Sequence, residues 1–170
     1  MIAQAGHGPH DARYVCARDA VMNGRSYPLR PILAVSAAVF RAGKVLVVRR
    51  ARPPAYGLFT LPGGGVEAGE TLIEAVVREV AEETGLAIAP VALAGHREVI
   101  ERDRDGRVER HFVILAFAAH WRAGEPALNA ELSDYRWLDP DAVGTLKTTE
   151  VLPQIIAAAR ARLGADADSG

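Results

Sequence analysis

A glycine-rich turn followed at once by an amphipathic helix constrains this chain more than any other feature. The turn reads LPGGG at residues 61–65, and a helical pattern follows it. Leu72, Val76 and Val80 recur at every fourth position, which predicts one buried helix face. Gly85 predicts the helix end, because glycine adopts the left-handed conformation without steric cost. Turn and helix therefore form one unit that packs through this face against a core.

Three glutamates share one face of the predicted helix. Glu79, Glu82 and Glu83 are spaced as surface neighbours, so their like charges repel at neutral pH. Hard divalent cations such as Mg²⁺ and Mn²⁺ bind oxygen ligands, and Mg²⁺ usually binds a few carboxylates together with waters and substrate phosphates. A solvated acidic helix face is the alternative. The glycine turn just upstream, whose backbone can approach a ligand closely, favours a metal-dependent enzyme that acts on phosphate groups.

This segment resembles the signature of the Nudix hydrolase family. Every fixed position of that signature is matched at its fixed spacing, and the predicted elements around it, at 31–163, resemble the rest of a Nudix domain. The resemblance implies an α/β fold, a Nudix-type α/β/α sandwich with a mixed β-sheet. The matching positions are Gly64, Glu70, Arg78, Glu79, Val80, Glu82, Glu83, Gly85 and Leu86.

The resemblance also implies a role for individual residues. Arg78 matches the arginine that orients the carboxylate of Glu79, and Glu70 matches a glutamate that braces the turn against the helix. The implied cofactor is Mg²⁺ or Mn²⁺. Its implied ligands are Glu79, Glu82, Glu83 and the backbone carbonyl of Gly63.

The implied hydrolysis needs a carboxylate that accepts a proton from the attacking water. In this family the base is either a signature glutamate or a glutamate on a later loop, so the candidates here are Glu79 and Glu131. Glu131 lies in a turn-rich stretch before a predicted strand at 135–138. Glu98 and Glu101, near the end of another predicted strand, are weaker candidates, because an exposed hairpin with mixed charges explains them as well.

Charge excludes general nucleic-acid binding and restricts where an anionic substrate can be attracted. The chain has 20 basic and 21 acidic side chains, a net charge of -1, and therefore no strong field that would hold a phosphate backbone. No DNA partner is expected. Local attraction must come from the metal and from Arg49, Arg50 and Arg52, which end a predicted strand beside the glycine turn. The alternative is that these arginines simply face solvent.

The substrate expected from the resemblance is a nucleoside diphosphate linked to another group. The stretch GLFTLPGG at 57–64 is similar to short bacterial ADP-ribose pyrophosphatases, so ADP-ribose or a similar nucleotide sugar is predicted, with a nucleoside monophosphate as product. A nucleoside triphosphate pyrophosphohydrolase is the alternative. Such enzymes often recognise the base through an asparagine near the start of the last helix. This chain has Thr148 and Thr149 in that region, and a threonine hydroxyl cannot make the bidentate contact of an amide. A non-catalytic nucleotide sensor is a third alternative.

One Nudix domain is expected at residues 29–163, preceded by an irregular arm at 1–28 and followed by a disordered tail at 164–170. The 170 residues and 49% hydrophobic content suffice for one sizeable core. Apolar, β-branched runs predict two hairpins, and the Asp-Gly pair at 105–106 is a strong turn signal for the second. Strands are predicted at 32–40, 44–50, 91–101, 108–120 and 135–138, and a last helix at 149–163.

A reducing compartment is expected from cysteine usage, because Cys16 is the only cysteine and no intramolecular disulfide can form. The first residues carry neither a secretory signal pattern nor a long apolar segment, so a cytoplasmic protein without a membrane span is predicted. The five histidines show no metal-ligand spacing. A homodimer is expected only by analogy with family members.

Overall fold

One mixed β-sheet with a helix on each face organises the chain. The computed structural model describes residues 26–167, so predictions for residues 1–25 and 168–170 lie outside it. No helix within the described range is long and apolar enough to cross a membrane. The elements in chain order are β1 (Ile32–Arg41), β2 (Lys44–Arg50), β3 (Phe59–Thr60), β4 (Gly63–Gly65), α1 (Leu72–Thr84), β5 (Ala87–Arg102), β6 (Val108–Ala123), β7 (Leu132–Leu138), a 3₁₀ helix (Pro140–Thr145) and α2 (Leu152–Ala167).

Strand β1 lies at the centre of the sheet. One of its edges pairs in parallel with β6, and its other edge pairs antiparallel with β4 and then with β2. Strand β5 extends the sheet beyond β6, and β7 extends it beyond β2, both in antiparallel orientation. The two predicted hairpins, β1–β2 and β5–β6, and the predicted mixed sheet are confirmed.

The two faces of the sheet bury separate cores, because successive side chains of a strand point in opposite directions. On one face, Val35 of β1 belongs to the same buried cluster as Val76 and Val80 of α1. On the other face, Phe40 of β1 belongs to a cluster with Ile156 of α2. Each helix therefore covers one face, and the predicted α/β/α sandwich is confirmed.

Helix α1 is capped at both ends, and it ends just before Gly85, as the sequence predicts. The hydroxyl of Thr71 accepts a hydrogen bond from the backbone N–H of Glu74 (3.2 Å), and the Glu74 carboxylate accepts one from the N–H of Thr71 (2.8 Å). This reciprocal capping box satisfies N–H groups that a helix leaves unpaired. At the other end, Gly85 has φ 69°, and its N–H donates to the carbonyl of Ala81 (2.8 Å). The helix that carries the three glutamates therefore has fixed ends.

Helix α2 differs from its predicted bounds at both ends. It begins at Leu152 instead of residue 149, because the N–H of Thr149 donates to the carbonyl of Phe59 (3.0 Å) and ties this residue to β3. It continues to Ala167, four residues beyond the predicted end at residue 163. A single glycine costs a helix only about 1 kcal/mol relative to alanine, and the alanines that follow Gly164 have the highest helix propensity.

Replacing Ile156 with alanine is expected to lower the free energy of unfolding by about 2–5 kcal/mol, because this side chain is fully buried between α2 and the sheet. Ile73 of α1 provides a matched control. Its side chain is 46% exposed, so Ile73→Ala should cost about 1 kcal/mol or less. Urea denaturation followed by circular dichroism measures both values, and equal losses would contradict this assignment of core and surface.

Candidate active site

A cleft of about 740 Å³ opens where α1 meets β4. It collects most of the residues that the sequence predicts to act on metal or substrate. Helix α1 contributes Glu79, Glu82 and Glu83, and the turn contributes Gly63. The other predicted residues that line the cleft are Arg50, Arg52, Arg78, Glu101 and Glu131.

The glycine turn lies so close to two other segments that a side chain has no room. Gly63 pairs with Ser36 of β1 and has φ 151°, and an added Cβ would collide with the backbone carbonyl of Val35. An added Cβ at Gly64 would collide with the carboxylate of Glu79. Glycine is therefore required here for the backbone of β4 to reach α1.

Glu83 is a buried carboxylate, with 4% of its surface exposed. It accepts a hydrogen bond from the backbone N–H of Gly63 (2.8 Å). Burial raises the pKa of Glu83 to about 7 in spite of that bond, and the charges of Glu79 and Glu131 add to the effect while Arg50 opposes it. Ionising Glu83 is therefore costly at this buried position, and a bound cation would stabilise its charged form.

Arg78 ties the turn, the helix and the carboxylates together. Its guanidinium donates to both carboxylate oxygens of Glu70 (2.7 and 2.9 Å) and to the carbonyl of Gly65 (3.0 Å). It also donates to Glu79 at 2.9 Å, and Glu82 lies at 3.4 Å. Hydrogen bonding to Arg78 lowers the pKa of Glu70 to about 2, so this carboxyl is charged at neutral pH. The guanidinium thus lies between the bracing glutamate and the carboxylate that it is expected to orient.

The donor atoms of the cleft fit a hard divalent cation. The candidate ligands are all oxygen atoms, and the carboxylates of α1 share the cleft with Glu131. Within residues 26–167, no three His, Cys, Asp or Glu side chains are placed so that they alone could form a cage that holds a metal ion. Mg²⁺ needs no such cage, because it keeps several waters and binds through one or two carboxylates plus substrate phosphates. The ligand set implied by the sequence stays a prediction, which the chemistry of the donors supports.

Glu131 lies on the loop between β6 and β7 and lines the same cleft. Its carbonyl accepts a hydrogen bond from the N–H of Ala51 (2.8 Å), and its N–H donates to the side chain of Asn129 (2.9 Å). Its carboxylate makes no hydrogen bond or ion pair with the residues that the structure describes. Asn129 is not among the site residues predicted from the sequence. The available signal was an asparagine two residues before a loop glutamate, a spacing that favours a turn between side chain and backbone.

The three arginines at the end of β2 are not equivalent. Arg50 and Arg52 line the cleft, whereas Arg49 does not. Consecutive strand residues point to opposite faces, and Nε of Arg49 donates instead to the hydroxyl of Ser133 on β7 (3.0 Å). Arg49 therefore lies outside the cleft lining, and substrate binding by the three arginines stays a prediction that the cleft supports for Arg50 and Arg52.

The same alternation divides the two weaker base candidates on β5. Glu101 lines the cleft, where it pairs with Arg110 (3.1 Å). Glu98 is not part of the lining and pairs with His111 (3.1 Å). The cleft wall around Glu101 is not predicted from the sequence, because only the pairing register of β5 with β6 brings its residues to one face. This wall contains Arg97, Val99, Phe112 and Ile114.

Known proteins resemble this chain over most of its length. The family profile described as NUDIX domain matches residues 30–159. An ADP-ribose pyrophosphatase of Methanocaldococcus jannaschii is 40% identical over 107 residues, which is 62% of this chain and 63% of that protein, less than two thirds of its length. The "Putative 8-oxo-dGTP diphosphatase 2" of Mycobacterium tuberculosis is 37% identical over 120 residues, which is 64% of this chain and 82% of that protein. The solved NUDIX domain of Shewanella oneidensis NrtR complexed with ADP ribose matches with a TM-score of 0.62 and 26% identity, covering 91% of this chain and 99% of that chain.

Gly64→Ala is expected to weaken the binding of Mn²⁺ by about 10-fold or more, because the added Cβ displaces the carboxylate of Glu79 from the turn. Gly144→Ala is the matched control, since a Cβ there meets no atom within 4 Å. Isothermal titration calorimetry with Mn²⁺ measures Kd for the wild type and both variants. An unchanged Kd in Gly64→Ala would show that the contact between turn and helix does not shape a cation site.

Proposed function

This chain belongs to the Nudix hydrolase family, and on that premise we propose that it hydrolyses a diphosphate linkage in a nucleoside diphosphate derivative. The proposed substrate is ADP-ribose or a similar nucleotide sugar, and the proposed product is a nucleoside monophosphate. Nudix hydrolases generally use divalent metal ions, and the ion proposed here is Mg²⁺ or Mn²⁺. The observation that carries the proposal is the cleft, in which the carboxylates of α1 lie beside a glycine turn and share the lining with Arg50 and Arg52.

The charges of the cleft suit a diphosphate that binds together with a metal ion. The carboxylates of α1 alone would repel an anionic substrate, and Glu83 is already buried with too little compensating charge. A divalent cation, when bound, neutralises phosphate charge and makes water a better nucleophile. Arg50 and Arg52 offer guanidinium donors for phosphate oxygens in the same cleft. A diphosphate therefore has complementary partners in the cleft.

Glu131 is the proposed general base. Its carboxylate lines the cleft and makes no hydrogen bond or ion pair with the described residues, so it is available to take a proton from water. Glu79, the other candidate, accepts a hydrogen bond from the guanidinium of Arg78 at 2.9 Å, so its carboxylate already has a charged partner. We therefore assign the α1 glutamates to the cation and Glu131 to the proton.

The choice of ADP-ribose is supported by two of the similar proteins, the archaeal ADP-ribose pyrophosphatase and the NrtR domain complexed with ADP ribose. The mycobacterial relative supports the alternative, a nucleoside triphosphate pyrophosphohydrolase. The cleft contains Thr149, whose hydroxyl lies 3.5 Å from that of Thr60. A hydroxyl cannot form the two simultaneous hydrogen bonds, one donated and one accepted, that an amide makes to the edge of a base. Specific recognition of a purine base by Thr149 is therefore disfavoured. The nucleotide sugar therefore ranks first.

A hydrolysis panel in the presence of Mg²⁺ or Mn²⁺ tests the substrate class. ADP-ribose, ADP-glucose, diadenosine polyphosphates, dGTP and 8-oxo-dGTP are compared, and the products are identified by mass spectrometry. The expected result is AMP plus ribose 5-phosphate from ADP-ribose. Preferential release of pyrophosphate from a triphosphate would establish the alternative, and binding without turnover of any compound would indicate a nucleotide sensor.

Glu131→Gln is expected to lower kcat by about 100-fold or more with little change in KM, because the amide keeps the shape of the side chain but cannot accept the proton. Glu98→Gln is the matched control, since this glutamate lies on the face of β5 that does not line the cleft. Steady-state kinetics with the best substrate of the panel measure both variants. A kcat that stays unchanged in Glu131→Gln would return the role of base to Glu79.

A further inference from the structure

We propose that Asn129 is a positioning residue, which fixes the base Glu131 relative to the metal-binding end of α1. This role rests on the proposed function of the cleft. Asn129 lies on the loop between β6 and β7 and lines the cleft beside Glu131. It lies far outside the signature segment at 64–86, so the family resemblance assigns it no role.

Three hydrogen bonds make Asn129 the link between these two parts of the cleft. Its backbone N–H donates to the carbonyl of Glu83 (3.1 Å). Its side-chain oxygen Oδ1 accepts from the N–H of Glu131 (2.9 Å), and its carbonyl accepts from the N–H of Leu132 (3.3 Å) at the start of β7. Asn129 therefore joins the residue that carries a buried metal-binding carboxylate to the residue that carries the base.

The loop around Asn129 is attached on two sides. The N–H of Ala127 donates to the carbonyl of Thr84 (2.8 Å), next to the bond that Asn129 itself makes to the helix. Both bonds satisfy carbonyls that the last turn of an α-helix leaves unpaired. On the other side, the N–H of Ala51, just after β2, donates to the carbonyl of Glu131 (2.8 Å). The bond from the N–H of Glu131 to the side chain of Asn129 lies between these two attachments.

Asparagine suits this position better than its nearest substitutes. Its short side chain places an acceptor within reach of the N–H two residues later. Aspartate would make the same bond but would add a negative charge to a cleft that Glu79, Glu82, Glu83 and Glu131 already line. Alanine would remove the bond to Glu131 and leave the backbone bond to Glu83 in place. A substitution at Asn129 therefore loosens the base without detaching the loop from α1.

Asn129→Ala is expected to lower kcat by about 10- to 100-fold, because a base that is misplaced by about 1 Å loses much of its effect. KM and the Mn²⁺ concentration for half-maximal activity should stay within about 2-fold, since the positioning role of Asn129 acts on the base alone. These values are measured by steady-state kinetics with the compound of the panel that the wild type hydrolyses fastest.

A double-mutant cycle with Glu131→Gln is the decisive test. In the Glu131→Gln background, Asn129→Ala should cause no further loss of kcat, because residues that act through one another are not additive. Additive losses, or an unchanged kcat in Asn129→Ala alone, would overturn the positioning role while wild-type turnover left the proposed function intact. An absence of wild-type turnover would instead overturn the proposed function and the positioning role together.

Two further variants separate positioning from general stability. Asn129→Ser keeps an acceptor for the N–H two residues later and should recover part of the lost kcat. Asp139→Ala removes the same kind of bond, from the N–H of Asp141 to the Asp139 carboxylate (2.9 Å), at a turn outside the cleft. It should lower Tm as Asn129→Ala does and leave kcat unchanged. An equal fall of kcat in both alanine variants, or no recovery in Asn129→Ser, would overturn the proposal.

Discussion

The close approach of a glycine backbone to the carboxylates of α1 is the contact on which the cleft depends. Gly64 leaves no room for a side chain beside Glu79, and the N–H of Gly63 donates to the buried carboxylate of Glu83. The same glycines form β4, which pairs with the central strand β1. Because β4 is fixed by the sheet and α1 is fixed by β4, the helix carboxylates have a set position relative to the strands that form the rest of the cleft.

Collecting negative charge at this contact costs stability, since a carboxylate that is removed from water without a full partner is unfavourable. Burial raises the pKa of Glu83 to about 7, which is the sign of that cost. Other contacts of α1 offset this cost. They are the burial of Val76 and Val80 in the core and the capping box at Thr71, and both lie away from the cleft. Proteins commonly accept such a local cost where function requires it. The binding of a cation and a diphosphate, as proposed for this cleft, is a function that would require it.

Local signals account for the parts of the molecule that were predicted correctly. Helix α1 is defined within one segment, by the spacing of its apolar residues, by its N-terminal cap and by Gly85. The hairpins are likewise defined by apolar runs on either side of a short turn. The start of α2 was predicted less well, because it depends on the hydrogen bond from Thr149 to Phe59, a residue distant in sequence.

The sequence by itself determined helix α1, the two hairpins, the resemblance to the Nudix family and the grouping of three glutamates on one helix, because each depends on residues that are close in sequence. Tertiary structure alone decided which of Arg49 and Arg50 lines the cleft, and which of Glu98 and Glu101 does. Side chains alternate along a strand, so a shift of the register by one residue would reverse both choices. It also decided that Asn129 joins α1 to the loop of the proposed base, since those hydrogen bonds connect segments that meet only in the folded chain.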